Sequence, residues 1–219
     1  MVTLDIISDP ICPWCWIGKT KLDAALAQAS DHSFAMHWRP FQLNPDMPRE
    51  GMDRQSYLSA KFGGRERAKE IYGRVEAAAE AAGLDVDFSR MTRTPNTLDA
   101  HRLIRWARQH NGGQADGGAA AQTAVVSRMF ELYFRDGVDL GDREVLQEVG
   151  ETAGLEREVT AALLASDADL EEIRAEDVSA REMGVTGVPT FLIGGKYVVQ
   201  GAQDAETWSR VVAELQAAA

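Results

Sequence analysis

Asp9-Pro10-Ile11-Cys12-Pro13-Trp14-Cys15-Trp16-Ile17-Gly18 stands between two patterns of different period. Ahead of it, Val2, Leu4 and Ile6 alternate with Thr3 and Asp5, which predicts a strand with one buried face. Behind it, Cys15, Gly18, Leu22, Ala25, Leu26 and Ala29 recur at helical spacing. The two cysteines therefore fall at a strand-to-helix junction. Cys12 is placed near the helix N-terminus and Pro13 in its first turn, where a missing N–H costs little. Thiolate is the reactive form of cysteine, and the unpaired N–H groups and dipole of a helix N-terminus favour it. Cys15 lies one turn further on, on the same face. The pair reads as a nucleophilic thiol, Cys12, with its resolving partner, Cys15.

Outward from this junction, Phe34, Met36 and Trp38 alternate with Ala35, His37 and Arg39, predicting a second strand that stops at Pro40. A strand, a helix and a strand make a βαβ unit, so the two strands should be parallel. Asn44 to Gly51 is dense in breakers and reads as a loop. From about Gln55 to Ala165 the pattern is helical. It predicts helices over 55–62, 66–82 (with Gly83 as the C′ residue), from an N-cap in 95–99 with an acid at N3 through 110, over 142–151 and over 156–164. Asn111 to Gly118 reads as a flexible connection, and Ala121, Ala124, Val125, Met129, Leu132 and Tyr133 form an amphipathic stripe after it. A further helix over 169–183 stops at Gly184. Thr190 to Ile193, Gly194-Gly195 and Lys196 to Val199 then spell a hairpin, and Asp204 caps a last helix that presents Trp208, Val211, Val212 and Leu215. The order is that of an α/β protein with residues 1–45 and 168–219 in one unit and residues 46–167 inserted as an all-helical subdomain.

The whole chain of 219 residues contains two cysteines, both in this motif, so no disulfide scaffold is expected. An all-cysteine zinc site is excluded, and a mixed one would need two of His32, His37, His101 and His110 to converge. No metal ligands are assigned. The net charge of −11 argues against nucleic acid and anionic membrane surfaces as partners. The chain has no run of about 18 apolar residues to span a bilayer. No basic segment followed by an apolar run opens the chain, so a cytoplasmic location is expected. There a disulfide is more often transient and catalytic than structural. A Cys12–Cys15 bridge would in any case close too small a loop to stabilise the fold much.

Val185-Thr186-Gly187-Val188-Pro189-Thr190-Phe191 precedes the hairpin. A proline opening a strand cannot donate to the ladder, and a cis Val188–Pro189 bond in a tight turn would account for it. That bond would turn the Val188 backbone outward, free to pair with an extended peptide. Cys-Pro-Trp-Cys at a strand–helix junction, a long helical insertion and Thr-Gly-Val-Pro-Thr before a hairpin together resemble the DsbA family of thioredoxin-fold oxidoreductases. Arg39 to Leu43, Asn96 to His101 and Gly201-Ala202-Gln203 are similar to its cytoplasmic FrnE-like branch.

The resemblance implies a thioredoxin-like fold and thiol–disulfide exchange, with Cys12 attacking, Cys15 resolving and Pro189 as the cis-proline facing them. It implies that Trp14 tunes the redox pair and that the Val188 backbone contacts substrate. The substrates would be proteins carrying disulfides or dithiols, or glutathione, and no cofactor is implied beyond glutathione as substrate or co-substrate. Where secreted members carry Cys-Pro-His-Cys, this chain has Trp14, an apolar ring in place of a possible cation, so a strongly oxidising potential is not carried over. The alternative is a glutathione-dependent enzyme resembling kappa-class transferases or 2-hydroxychromene-2-carboxylate isomerases. Asn44, Val188, Gln203 and Asp204 would then contact glutathione, although a serine replaces the first cysteine in those enzymes.

The remaining candidates read as ordinary structure. His32 and His110 fall near helix ends and should be solvated. His37 and His101 should be core histidines with backbone partners. Met47 and Met52 fill irregular gaps in a loop, and Trp16 walls the helix. Glu171, Glu172, Glu176 and Asp177 read as a solvated helix face.

Overall fold

The computed structural model describes residues 2–28 and 34–217; Ala29 and His32 lie outside them. Strand β1 (Val2–Ser8) runs into α1 (Pro13–Gln28) and returns as β2 (Phe34–Pro40), parallel to β1 with Leu4 opposite Met36 and Ile6 opposite Trp38. Near the end of the chain, β5 (Thr190–Ile193) pairs antiparallel with β1, and β6 (Tyr197–Gln200) pairs antiparallel with β5. The sheet order is β2-β1-β5-β6. The last helix, α9 (Ala205–Ala217), is capped by Asp204, which accepts from the Thr207 N–H at 2.7 Å.

Alternation along β1 divides its side chains between two faces. Leu4 and Ile6 join Leu22, Leu26, Phe191 and Trp208 in the main core, with α1 and α9 packed together over that face. The Phe191 and Trp208 rings meet edge to face at 4.7 Å. Each such side chain contributes about 1.5–3 kcal/mol through burial. Ile7, on the opposite face, packs with Phe41, Ala180 and Val185.

Between the two halves of the sheet lie β3 (Met52–Asp53), α2 (Arg54–Phe62), α3 (Arg65–Ala81), β4 (Arg93–Thr94), α4 (Leu98–His110), α5 (Ala119–Phe130), α6 (Arg143–Glu151), α7 (Arg157–Ala165) and α8 (Leu170–Glu182). A widened π-helical turn over Glu131–Arg135 extends α5. The insertion shares its core with the sheet. Trp16 of α1 stacks on Phe130 at 6.3 Å and Phe134 at 5.7 Å, and Leu103 and Leu146 belong to the same apolar cluster. Strand β2 is closed by a side chain: Gln122 of α5 accepts from the Trp38 N–H at 2.8 Å and donates to the Trp38 carbonyl at 3.1 Å.

Several local expectations are corrected. The stretch expected to be wholly helical contains a short antiparallel pair, β3 with β4, which ties the start of α2 to the approach to α4. At the start of α4 the side-chain acceptor is Asn96, within the expected capping stretch, which takes the Leu98 N–H at 2.9 Å, while Asp99 pairs with Arg102. The acidic face of α8 is only partly solvated. Asp177 is buried, accepting from the Gln42 N–H at 2.8 Å and pairing with Arg181, and Glu176 pairs with Arg105 at 2.6 Å. His37, expected to find a backbone partner, meets the Asp5 carboxylate at 3.1 Å.

Candidate active site

The junction between β1 and α1 is shaped by Asp9. Its backbone carbonyl accepts from the Cys12 N–H at 2.9 Å, and the Cys12 carbonyl accepts from the Cys15 N–H at 3.0 Å, opening the helix. The Asp9 carboxylate is completely buried. One oxygen accepts from the Ile11 N–H at 3.2 Å and the other from the Leu43 N–H at 2.7 Å, joining the cysteine loop to the loop after β2. Burial pushes this carboxyl up to about 7, against the pull of the two N–H groups. Sequence reading passed over Asp9, because a carboxylate beside a turn ordinarily reads as a surface residue.

Both cysteines carry free thiols. Cys12 is 4% exposed, Cys15 1% and Trp14 39%, so Trp14 stands at the surface and Cys15 lies behind Cys12. Burial, reinforced by the neighbouring Cys12, raises the Cys15 thiol well above its ordinary value, while the Ser8 side chain works in the opposite direction. The Cys12 S–H points to the Val188 carbonyl at 3.6 Å. The two motifs, 176 residues apart in sequence, meet at this contact.

The Val188–Pro189 bond is cis. Its loop is held by the Thr190 hydroxyl donating to the Gly187 carbonyl at 2.8 Å and by the Gly201 N–H donating to the Pro189 carbonyl at 2.8 Å. No described residue accepts from the Val188 N–H. On the other side, Gly18 of α1 faces the proline ring, and a Cβ at that position would lie 2.9 Å from Pro189 Cγ. Glycine is required there by close approach and not by its dihedral freedom.

The other sequence candidates divide. Asn44 follows Leu43, and so hangs from the Asp9 carboxylate. Its side-chain oxygen accepts from the Tyr57 hydroxyl at 3.2 Å and from Lys61 Nζ at 3.0 Å, while its buried Nδ2 has no partner among the described residues. Leu43, Asn44, Met47, Met52, Tyr57 and Lys61 line a cleft of about 370 Å³. Gln203 does not join the thiols: it is exposed, and its amide donates to the Gln200 carbonyl. Asp204 is engaged as the cap of α9. His101 is a core histidine. It is 3% exposed and bonded to the Phe41 carbonyl, and burial lowers its pKa to about 4.

Residues 3–213 match the sequence profile of the DSBA-like thioredoxin domain. A probable DsbA oxidoreductase from Streptomyces coelicolor is 30% identical, with a TM-score of 0.84 over 99% of this chain and 91% of that one. The 2-hydroxychromene-2-carboxylate isomerase is 17% identical, with a TM-score of 0.69 over 98% and 96% of the two chains. The cytosolic disulfide reductase DsbM from Pseudomonas aeruginosa, solved with GSH, is 20% identical, with a TM-score of 0.61 over 99% and 100%. For the last two, the likeness is one of fold.

Proposed function

We infer that this chain, which belongs to the DSBA-like thioredoxin domain family, is a thiol–disulfide oxidoreductase of the FrnE-like branch that works through Cys12 and Cys15 in the cytoplasm. The contact between the Cys12 thiol and the Val188 carbonyl carries this reading, because it sets a reactive sulfur beside a backbone edge with a second sulfur behind it. The Cys12 thiolate attacks one sulfur of a substrate disulfide. A Cys12–substrate bond forms, the substrate S–S bond breaks, and the departing thiolate takes up a proton. Cys15 then gives up its proton and attacks Cys12, releasing the second substrate thiol and leaving a Cys12–Cys15 disulfide; the reverse sequence oxidises a dithiol. Burial keeps Cys15 a thiol until the mixed disulfide forms, so the two sulfurs do not compete for the first attack. The free Val188 N–H supports strand-like pairing with a substrate chain, and Trp14 stands exposed beside the thiols.

The cleft beside Asn44 favours a second reading, in which glutathione is bound as a co-substrate for isomerase- or transferase-type chemistry. The unpartnered Asn44 amide and the Lys61 ammonium supply donors for a small peptide thiol. Cys12→Ser is expected to abolish disulfide turnover and Cys15→Ser to accumulate mixed disulfides, visible by non-reducing mass spectrometry. Full turnover in the Cys12 variant ends the first reading, and glutathione binding that survives loss of both thiols supports the second.

A further inference from the structure

Arg54 opens α2, and its side chain is 4% exposed. A buried guanidinium cannot shed its proton, so it needs compensation from its surroundings. Here the compensation is neutral. Nη1 donates to the Thr94 hydroxyl at 3.1 Å and to the Tyr133 hydroxyl at 3.4 Å, and Nη2 donates to the Tyr72 hydroxyl. The rings of Tyr72 and Tyr57 lie 5.1 and 5.7 Å from the guanidinium carbon. Among the described residues no carboxylate comes within ion-pair distance of it, and Nε has no acceptor.

The same guanidinium lines a cleft of about 480 Å³ between α2 and α3, with Gln55, Arg65, Lys69, Tyr72 and Phe88. Arg65 and Lys69 also lack an ion-pair partner among the described residues, and one carboxylate, Glu66, shares the lining. Three unpaired cations around one cleft stand out in a chain of net charge −11. A run of ring contacts leads from the cleft to the cysteine helix. Tyr72 packs on Phe88 at 5.0 Å, Phe88 on Phe134 at 6.1 Å, and Phe134 on Trp16 of the cysteine helix at 5.7 Å. The Tyr72 hydroxyl accepts from Arg54 and has no acceptor for its own proton among the described residues, leaving it a donor polarised by the cation behind it.

We propose that this cleft is a substrate subsite for a carboxylate carried by the thiol or disulfide substrate, with Arg54 as its buried anchor and Arg65 and Lys69 at its rim. The inference rests on the oxidoreductase reading and narrows its substrates to anionic ones. A buried, pre-positioned cation has already lost its water, so a carboxylate gains the full charge-assisted hydrogen bond on arrival. The overall field of the molecule works the other way, because an acidic protein repels anions and attracts cations. The two effects therefore predict opposite substrate orders.

The test uses the full chain, pre-reduced, in single turnover, where one substrate disulfide becomes two thiols as Cys12 and Cys15 are oxidised. The disulfides are 3,3′-dithiodipropionate, bis(2-hydroxyethyl) disulfide and cystamine, which are anionic, neutral and cationic. The anionic compound should react at least tenfold faster than the neutral one, with cystamine slowest. That ratio should fall close to one in Arg54→Gln and in the Arg65→Ala/Lys69→Ala double variant, whose exposed positions leave folding intact if Arg54→Gln does not. Arg74→Ala, which removes a cation from the same helix away from the cleft, should keep the ratio. Turnover of the neutral disulfide with no anionic preference, or a preference that all the variants retain, overturns the inference and leaves the oxidoreductase reading standing. A chain that reduces none of the three overturns both.

Discussion

Arg102 and Arg54 are both buried arginines of the helical block, and their surroundings differ in kind. Arg102 is fully buried on α4 and meets the Asp99 carboxylate at 2.7 Å, the Ala168 and Leu163 carbonyls at 2.6 Å and the Ser166 carbonyl at 2.9 Å. Its charge is closed off, and the fork holds the end of α7 and the start of α8 against α4. Arg54 is surrounded by hydroxyls and ring faces with no anion. Asp9 is a third buried charge, held by two N–H groups. A carboxylate in that position can take up a proton, and its raised pKa is the sign that it does. Arginine has no such exit. The contrast separates a charge used as a bolt, a charge that neutralises itself and a charge left open for a ligand.

The largest effect that would sharpen this contrast is the loss of the bolt. Arg102→Met should destabilise the fold by about 3–5 kcal/mol, since it leaves three carbonyls without their donor at about 1–3 kcal/mol each while Asp99 keeps Arg49 and Arg143 at 3.4 Å, and urea midpoints should report it. A loss under about 1 kcal/mol would mean that those groups find water and that Arg102 is no bolt.

A second experiment reads pH. The unfolded chain loses the Asp9 proton above about 3.8 while the folded one keeps it to about 7, so this residue makes stability fall as pH rises across that window. His101 acts with the opposite sign. The unfolded chain binds a proton below 6.5 and the folded one only below about 4, so its contribution rises with pH between them. Each slope approaches about 1.4 kcal/mol per pH unit. Between pH 4 and 6.5 they should nearly cancel in the native sequence. Asp9→Asn should expose the rise and His101→Gln the fall, measured by urea unfolding at three pH values. Equal pH profiles in both variants would remove Asp9 from the list of self-neutralising charges.

The smallest effect is expected at Arg54. Arg54→Met should cost about 1–2 kcal/mol, since only neutral hydroxyls lose a partner. A loss as large as that of Arg102→Met would make it a second bolt, and the comparison would collapse.

The thiol junction, the proline loop and the hairpin were legible in the sequence because each is a local pattern: alternation, helical spacing, or a proline where a ladder needs a donor. The buried charges were not. Asp177 stands in a run of acids, and only Gln42 and Arg181, from elsewhere in the fold, decide that it is interior. Strands β3 and β4 have two residues each, too short to show a period, and their partners lie about 40 positions apart. Arg54 gave no signal, since nothing in a sequence separates a buried cation from an exposed one.

Gly18 sets a dimension. With a hydrogen in place of a methyl group, α1 comes close enough for the proline ring to rest on it, and Ala202 Cα closes the same gap from the other side at 3.4 Å from a would-be Cβ. The spacing between the cysteine helix and the proline loop is therefore gauged by an atom the residue lacks. A larger residue there would act as a shim, prising the loop from the helix and lengthening the reach between Cys12 and Val188, while both reacting groups kept their chemistry.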